Sequence, residues 1–154
     1  MKGGPMSGND LSKVIVVGVD GSDDSNRALQ WALDEAKVRG MSVLLVHGID
    51  IGLSAGDPYG GGYVVPQLQD AGKAALEAGA AKAAEAGVAC ETRLEMGSPA
   101  YQLVDAARGA AMLVVGSRGH GGFVGLLLGS VSAACVHHAH CPVVIVPPPE
   151  RQAR

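Results

Sequence analysis

Aromatic residues are scarce: one Trp, one Phe and three Tyr make up 3% of the 154-residue chain. Single-strand nucleic-acid binders stack bases on aromatic platforms, so that class is disfavoured at the outset. Positive charge is also in short supply. Twelve Lys and Arg face fifteen Asp and Glu, a net charge of -3, and no basic patch of the size that DNA binding needs is present. Cysteine is sparse and odd in number. Cys90, Cys135 and Cys141 show no paired spacing, which argues against a disulfide framework and for a reducing compartment. No run approaches the length of a membrane span. Met1 to Asp10 holds one Lys and no apolar stretch, unlike a secretory signal. The expected location is therefore the cytoplasm. A Gly-Lys-Ser/Thr triplet is missing too. That excludes a P-loop NTPase and removes a main charge stabiliser of fast γ-phosphoryl transfer.

What is present is a globular composition, 47% hydrophobic and 18% charged, at the length of one domain. We expect the domain to span residues 12–147, with tails at 1–11 and 148–154. Short runs rich in Val, Ile and Leu recur: Val14 to Val19, Val43 to Val46, Val88 to Leu94, Met112 to Val115 and Val143 to Val146. Such runs suggest strands buried on both faces. Helical patterns lie between them. Leu29, Ala32, Leu33 and Ala36 share one face, with Ser22 or Asp23 as cap and Gly40 as stop. Gln67 to Glu85 ends near Gly87. Ser98-Pro99 opens a helix with Leu103, Val104 and Ala107 inward. Val131, Ala134, Cys135 and His138 form the last stripe. Strands alternating with helices predict an α/β fold, a five-stranded parallel sheet, doubly wound and Rossmann-like. The segment from Gly52 to Pro66, rich in Gly and Pro, predicts a mobile loop, and Pro147 to Pro149 an extended tail.

Ligands of such sheets bind at the carboxyl ends of the strands. The candidate ends are Val19-Asp20-Gly21-Ser22, His47-Gly48-Ile49-Asp50, Met96-Gly97-Ser98-Pro99 and Gly116-Ser117-Arg118-Gly119. The last stands out among the 23 glycines. Gly116 and Gly119 flank Ser117-Arg118 after a strand, and Gly129-Ser130 opens the final helix. Bare backbone and a helix N-terminus together describe a phosphate cradle; the plain alternative is a Gly-rich turn with a Ser cap. Gly52-Leu53-Ser54-Ala55-Gly56 matches a hydrolase elbow but runs into loop residues, so we read it as coincidence. His137, His138, His140 and Cys141 could suggest a metal. They fit a solvated helix end better, because no remote fourth ligand is nominated.

The spacing Gly-x-x-Gly-(nine residues)-Gly-Ser, from Gly116 to Ser130, resembles the nucleotide-binding signature of the universal stress proteins. The likeness extends to Val16-Val17-Gly18-Val19-Asp20-Gly21-Ser22, His47, Gly97-Ser98-Pro99 and Cys141-Pro142-Val143-Val144-Ile145-Val146. The resemblance implies an adenine-nucleotide α-hydrolase-like sandwich of the ATP-binding branch. It implies that Asp20 lies at the ribose or at Mg²⁺ through water; the other reading of Asp20 is a cap for the first helix. Gly18, Val19 and Gly21 would let backbone approach the nucleotide. Gly48 stands where the family often has Val beside adenine, and Val115 would pack on base or ribose. Gly116, Gly119, Gly129 and Ser130, followed by Val131, would hold phosphates. Arg118 and His120 are either the nearby cations or solvated loop side chains. The implied function is ATP binding with Mg²⁺ in a stress-response regulator, a homodimer joined through Val143, Val144, Ile145 and Val146. Two alternatives stay open: a slow ATPase or autophosphorylating enzyme with Ser117 or Ser130 as acceptor, and an interaction module without nucleotide.

Overall fold

The structure is a computed structural model that describes residues 10–50, 61–118 and 128–149. Five strands form it: β1 Val14–Gly18, β2 Ser42–Ile49, β3 Cys90–Met96, β4 Met112–Gly116 and β5 Val143–Val146. All neighbours are parallel, in the order β3-β2-β1-β4-β5. The helices are α1 Asp23–Arg39, α2 Gly61–Ala86, α3 Pro99–Ala106 and α4 Ser130–His138.

The apolar runs are continuous because successive side chains enter two different cores. Ile15, Val17, Val43, Leu45, Met112 and Val114 face α1 and α2 with Leu29, Leu33 and Leu76. Val14, Val16, Leu44, Val46, Leu113 and Val115 face the other way, against Leu103, Ala106 and Cys135 of α3 and α4. Leu29 and Leu33 are 1% exposed. Each such side chain contributes about 1.5–3 kcal/mol by leaving water. Helix α1 starts at Ser22, whose side chain accepts from Ser25 N, and stops at Gly40 in the left-handed region.

Some boundaries differ from the sequence expectation. Strand β2 extends through His47 and Gly48, which pair with Leu94 and Glu95 of β3. Strand β3 starts at Cys90 and ends at Met96, two residues later at each end than the apolar run. It is an edge strand, so hydrophobicity marks its ends poorly. Residues 61–66, expected in a loop, are helical: α2 begins at Gly61 and carries Pro66. Pro66 is the sixth residue of the helix, one turn inside its start, and removes one backbone donor there. The elbow-like segment 52–56 and the rest of that loop up to 60 lie outside the described residues. In α4, Cys135 and Ser132 are buried, whereas His138 is exposed. The last turn runs past the apolar contact, and the rings of His137 and His138 meet edge-to-face at 5.3 Å. Leu11 lies on the second core, and Pro148 is fully buried.

Candidate functional site

The chain steps from β1 to β2 to β3 on one side of the sheet and then returns to place β4 on the other side of β1. The carboxyl ends of β1 and β4 therefore border the switch point, where open α/β sheets accommodate ligands.

At the end of β1 the backbone is largely committed. Val19 N donates to Val46 O at 3.0 Å. The Val19 carbonyl accepts from His47 Nδ1 at 2.7 Å, which fixes that histidine tautomer. Asp20 N donates to Ser25 Oγ at 3.0 Å. Asp20 Oδ1 accepts from Ser22 N at 2.9 Å. Ser22, not Asp20, caps α1. Asp20 is half-buried at the strand end, and the adjoining Gly21 is exposed with φ 83.

Two glycines are there because backbone from another element lies against them. A Cβ on Gly48 would sit 2.7 Å from Pro99 Cα, so the first turn of α3 occupies the room a valine would need. A Cβ on Gly116 would sit 2.8 Å from the Asp24 carbonyl oxygen, so β4 ends tightly against the start of α1. Val115 is 4% exposed and belongs to the second core. Gly18 lies over it and Leu103: a Cβ there would meet Leu103 Cδ1 at 3.0 Å and Val115 Cγ1 at 3.2 Å.

Beyond β4 the glycine segment has a fastened neck. The Ser117 carbonyl accepts from Gly129 N at 2.6 Å and from Ser132 Oγ at 2.8 Å. Ser117 N donates back to Val146 O at 3.2 Å. Arg118 Nε reaches Asp24 Oδ2 at 3.2 Å, and Asp24 also pairs with Arg27. Gly119 and His120 lie outside the described residues. Of the two serines considered as phosphoryl acceptors, Ser117 is fully buried and Ser130 is exposed.

The helix starts differ in what they offer. Helix α1 has the Ser22 cap and two acids, Asp23 and Asp24, in its first turn. Helix α3 has the Ser98 cap, which accepts from Tyr101 N. Helix α4 starts at Gly129, which makes no side-chain cap bond, and no acid lies in its first turn; Ser130 and half-buried Val131 follow. An uncapped start with the dipole's positive end suits an anion.

The site thus combines the strand ends at the switch point, the Asp20 carboxylate, the Gly116–Arg118 root of the glycine segment and a start of α4 without a side-chain cap at Gly129. The model of the universal stress protein family matches residues 12–147. The chain belongs to this family. A universal stress protein of Methanocaldococcus jannaschii is 33% identical over 95% of this chain and 88% of its own length. One from Mycolicibacterium smegmatis is 35% identical over 95% of this chain but only 49% of its own length. The chain thus spans about half of that curated relative. Among solved structures, a universal stress protein in complex with cAMP is similar with a TM-score of 0.65 and 30% identity, over 90% of this chain and 98% of that one. An Arabidopsis thaliana family protein with AMP bound gives 0.67 and 27%, over 92% and 95%. These neighbours share the parallel α/β architecture.

Sequence reasoning missed Asp24 and Ser132. Both act on the glycine segment from far along the chain or from a helix interior, where no motif marks them. The histidines are not part of a metal cluster: among the described residues no group of three or more His, Cys, Asp or Glu could hold an ion. The cysteines are free; Cys135 is buried, and Cys90 and Cys141 are half-buried. Burial, with a smaller contribution from Cys141, pushes the Cys135 thiol up to about 11, and burial also raises Cys90 and Cys141.

Proposed function

We propose that this universal stress protein binds ATP with Mg²⁺ at the carboxyl ends of β1, β2 and β4 and acts as a nucleotide-dependent stress-response regulator. The observation that carries the reading is the uncapped start of α4 beside the end of β4 at the switch point. The AMP and cAMP complexes of similar proteins support an adenine nucleotide. Gly116, Gly119, Gly129, Ser130 and Val131 hold the phosphates, with Arg118 and His120 as cations of the loop. Asp20 and Gly21 meet the ribose, because the Val19 and Asp20 N–H groups are already engaged. The β2 end at Gly48 offers backbone to the base edge. Mg²⁺ binds through one or two carboxylates plus substrate phosphates, and the strand-end carboxylate of Asp20 fits that donor set. Bound ATP supplies charge to be read and a transferable phosphoryl group. The absent P-loop lysine keeps turnover below the ~1 s⁻¹ low end of ordinary enzymes.

Autophosphorylation remains a second reading, favoured by one observation: Ser130 is exposed at the phosphate end. The protein acts as a homodimer through β5, whose Val143, Val144, Ile145 and Val146 present an uncharged edge that pairing would cover.

Calorimetric titration of the purified chain with ATP, AMP and adenosine, with and without Mg²⁺, tests the site. ATP is expected to bind in the micromolar range, more tightly with Mg²⁺ and far more tightly than adenosine. Absence of binding to all three overturns the reading. Light scattering on the same sample is expected to give the mass of two chains.

A further inference from the structure

We infer that Asp24 is a positioning residue that fixes the phosphate end of the nucleotide site by anchoring Arg118 and the root of the glycine segment to α1. The inference rests on the nucleotide reading above and assigns a role to a residue outside the glycine signature.

Asp24 sits in the first turn of α1, and its side chain is only 8% exposed. A carboxylate so buried needs partners. It has two. Arg27 lies one turn further along the same helix. Arg118 lies 94 residues away in sequence, immediately beyond the Gly116-Ser117 pair, and its Nε is 3.2 Å from Asp24 Oδ2. Asp24 therefore stays paired within its own helix, and the second pairing adds a tie to the loop. Its main chain adds another. Gly116 packs so closely on the Asp24 backbone that a Cβ would lie 2.8 Å from its carbonyl oxygen and 3.0 Å from its Cβ. On the opposite side the Ser117 carbonyl is held by Gly129 N and Ser132 Oγ. The start of the segment is thus clamped between α1 and α4, with Asp24 as the α1 jaw.

The sign of a mutational effect separates positioning from bulk charge. Asp20 and Asp23 are the other acids at this end of α1. Neutralising Asp24 removes a negative charge from beside Arg27 and Arg118, and field strength alone would then draw ATP more tightly. Positioning gives the opposite result, because a guanidinium that has lost its tie to α1 shifts from the productive geometry.

The experiment is titration of wild type, Asp24→Asn, Arg118→Gln and the double variant with ATP and with adenosine. ATP affinity is expected to fall ~10-fold in Asp24→Asn and by a similar factor in Arg118→Gln, with adenosine changed by less than ~2-fold. The double variant should fall no further than either single one, since both act through one contact. Equal or tighter ATP binding by Asp24→Asn in a protein whose wild type binds ATP overturns this inference alone. So does an equal loss for adenosine and ATP, which marks a purely structural role. Should Asp24→Asn fail to fold, Arg118→Gln decides: unchanged ATP affinity there overturns the inference. A wild type that binds neither ligand removes the nucleotide reading, and the inference with it.

Discussion

Helices α1 and α4 both begin at the switch point, after the two central strands, yet they treat their exposed N–H groups in opposite ways. Helix α1 consumes its positive end internally, through the Ser22 cap and the acids Asp23 and Asp24. Among the described residues, helix α4 has no side-chain cap at Gly129 and no acid in its first turn. Capping by Ser, Asp or Asn stabilises a helix by about 1 kcal/mol over Ala but occupies the donors that an anion would use. The contrast separates a helix start that is closed by its own side chains from one that, on the proposed reading, receives the phosphates.

The largest expected disturbance is to give α4 what α1 has. Gly129 adopts φ -78 and ψ 178, extended backbone open to any residue. Gly129→Asp should cap α4 with a carboxylate and repel phosphate. We expect ATP affinity to fall roughly 100-fold, the scale of a like charge a few ångströms away. The denaturation midpoint should stay level or rise slightly. Calorimetry with a parallel melt checks both, and a joint loss of stability would break the comparison.

Taking the cap from α1 should have a smaller effect of the other kind. Ser22→Ala is expected to cost ~1 kcal/mol of stability in urea while ATP affinity changes by less than about threefold. A large affinity loss without destabilisation would make α1 part of the ligand site.

The smallest effect belongs to the buried face of α4. Burial raises the Cys135 thiol from 9.0 to about 11. Its folded value therefore exceeds its unfolded one, so its contribution to stability is complete below pH 9 and is lost as pH rises towards 11. Urea midpoints across that range should decline, and Cys135→Ala should flatten the decline. Burial also raises Cys90 and Cys141, so Cys135→Ala isolates the part of the decline that belongs to α4.

The central strands were legible because Val14 to Val17 and Met112 to Val115 alternate between two apolar cores, so every position is hydrophobic. The edge strand β3 was misplaced by two residues because Thr92 and Arg93 are exposed and only part of the strand faces a core. Pro66 misled the reading of α2, since a proline that bounds a loop and one carried inside a helix look alike in sequence. At the site, the glycine spacing was readable because backbone approach requires glycine whatever the neighbours are. The reason for Gly48 was not, as it depends on Pro99 arriving from another element. The pairing of Asp24 with Arg118 bridges distant segments and leaves no periodic trace. The neck at Ser117 uses a backbone carbonyl, which every residue carries.

That neck separates the geometry of the site from the length of chain it encloses. One carbonyl, Ser117 O, gathers Gly129 N and Ser132 Oγ, so the two ends of the segment meet whatever runs between them. With the ends tied, doubling the intervening chain adds only about 0.6 kcal/mol of closure entropy. The spacing between the end of β4 and the start of α4 is therefore held by hydrogen bonds made at the two ends themselves, Ser117 on one side and Gly129 and Ser132 on the other.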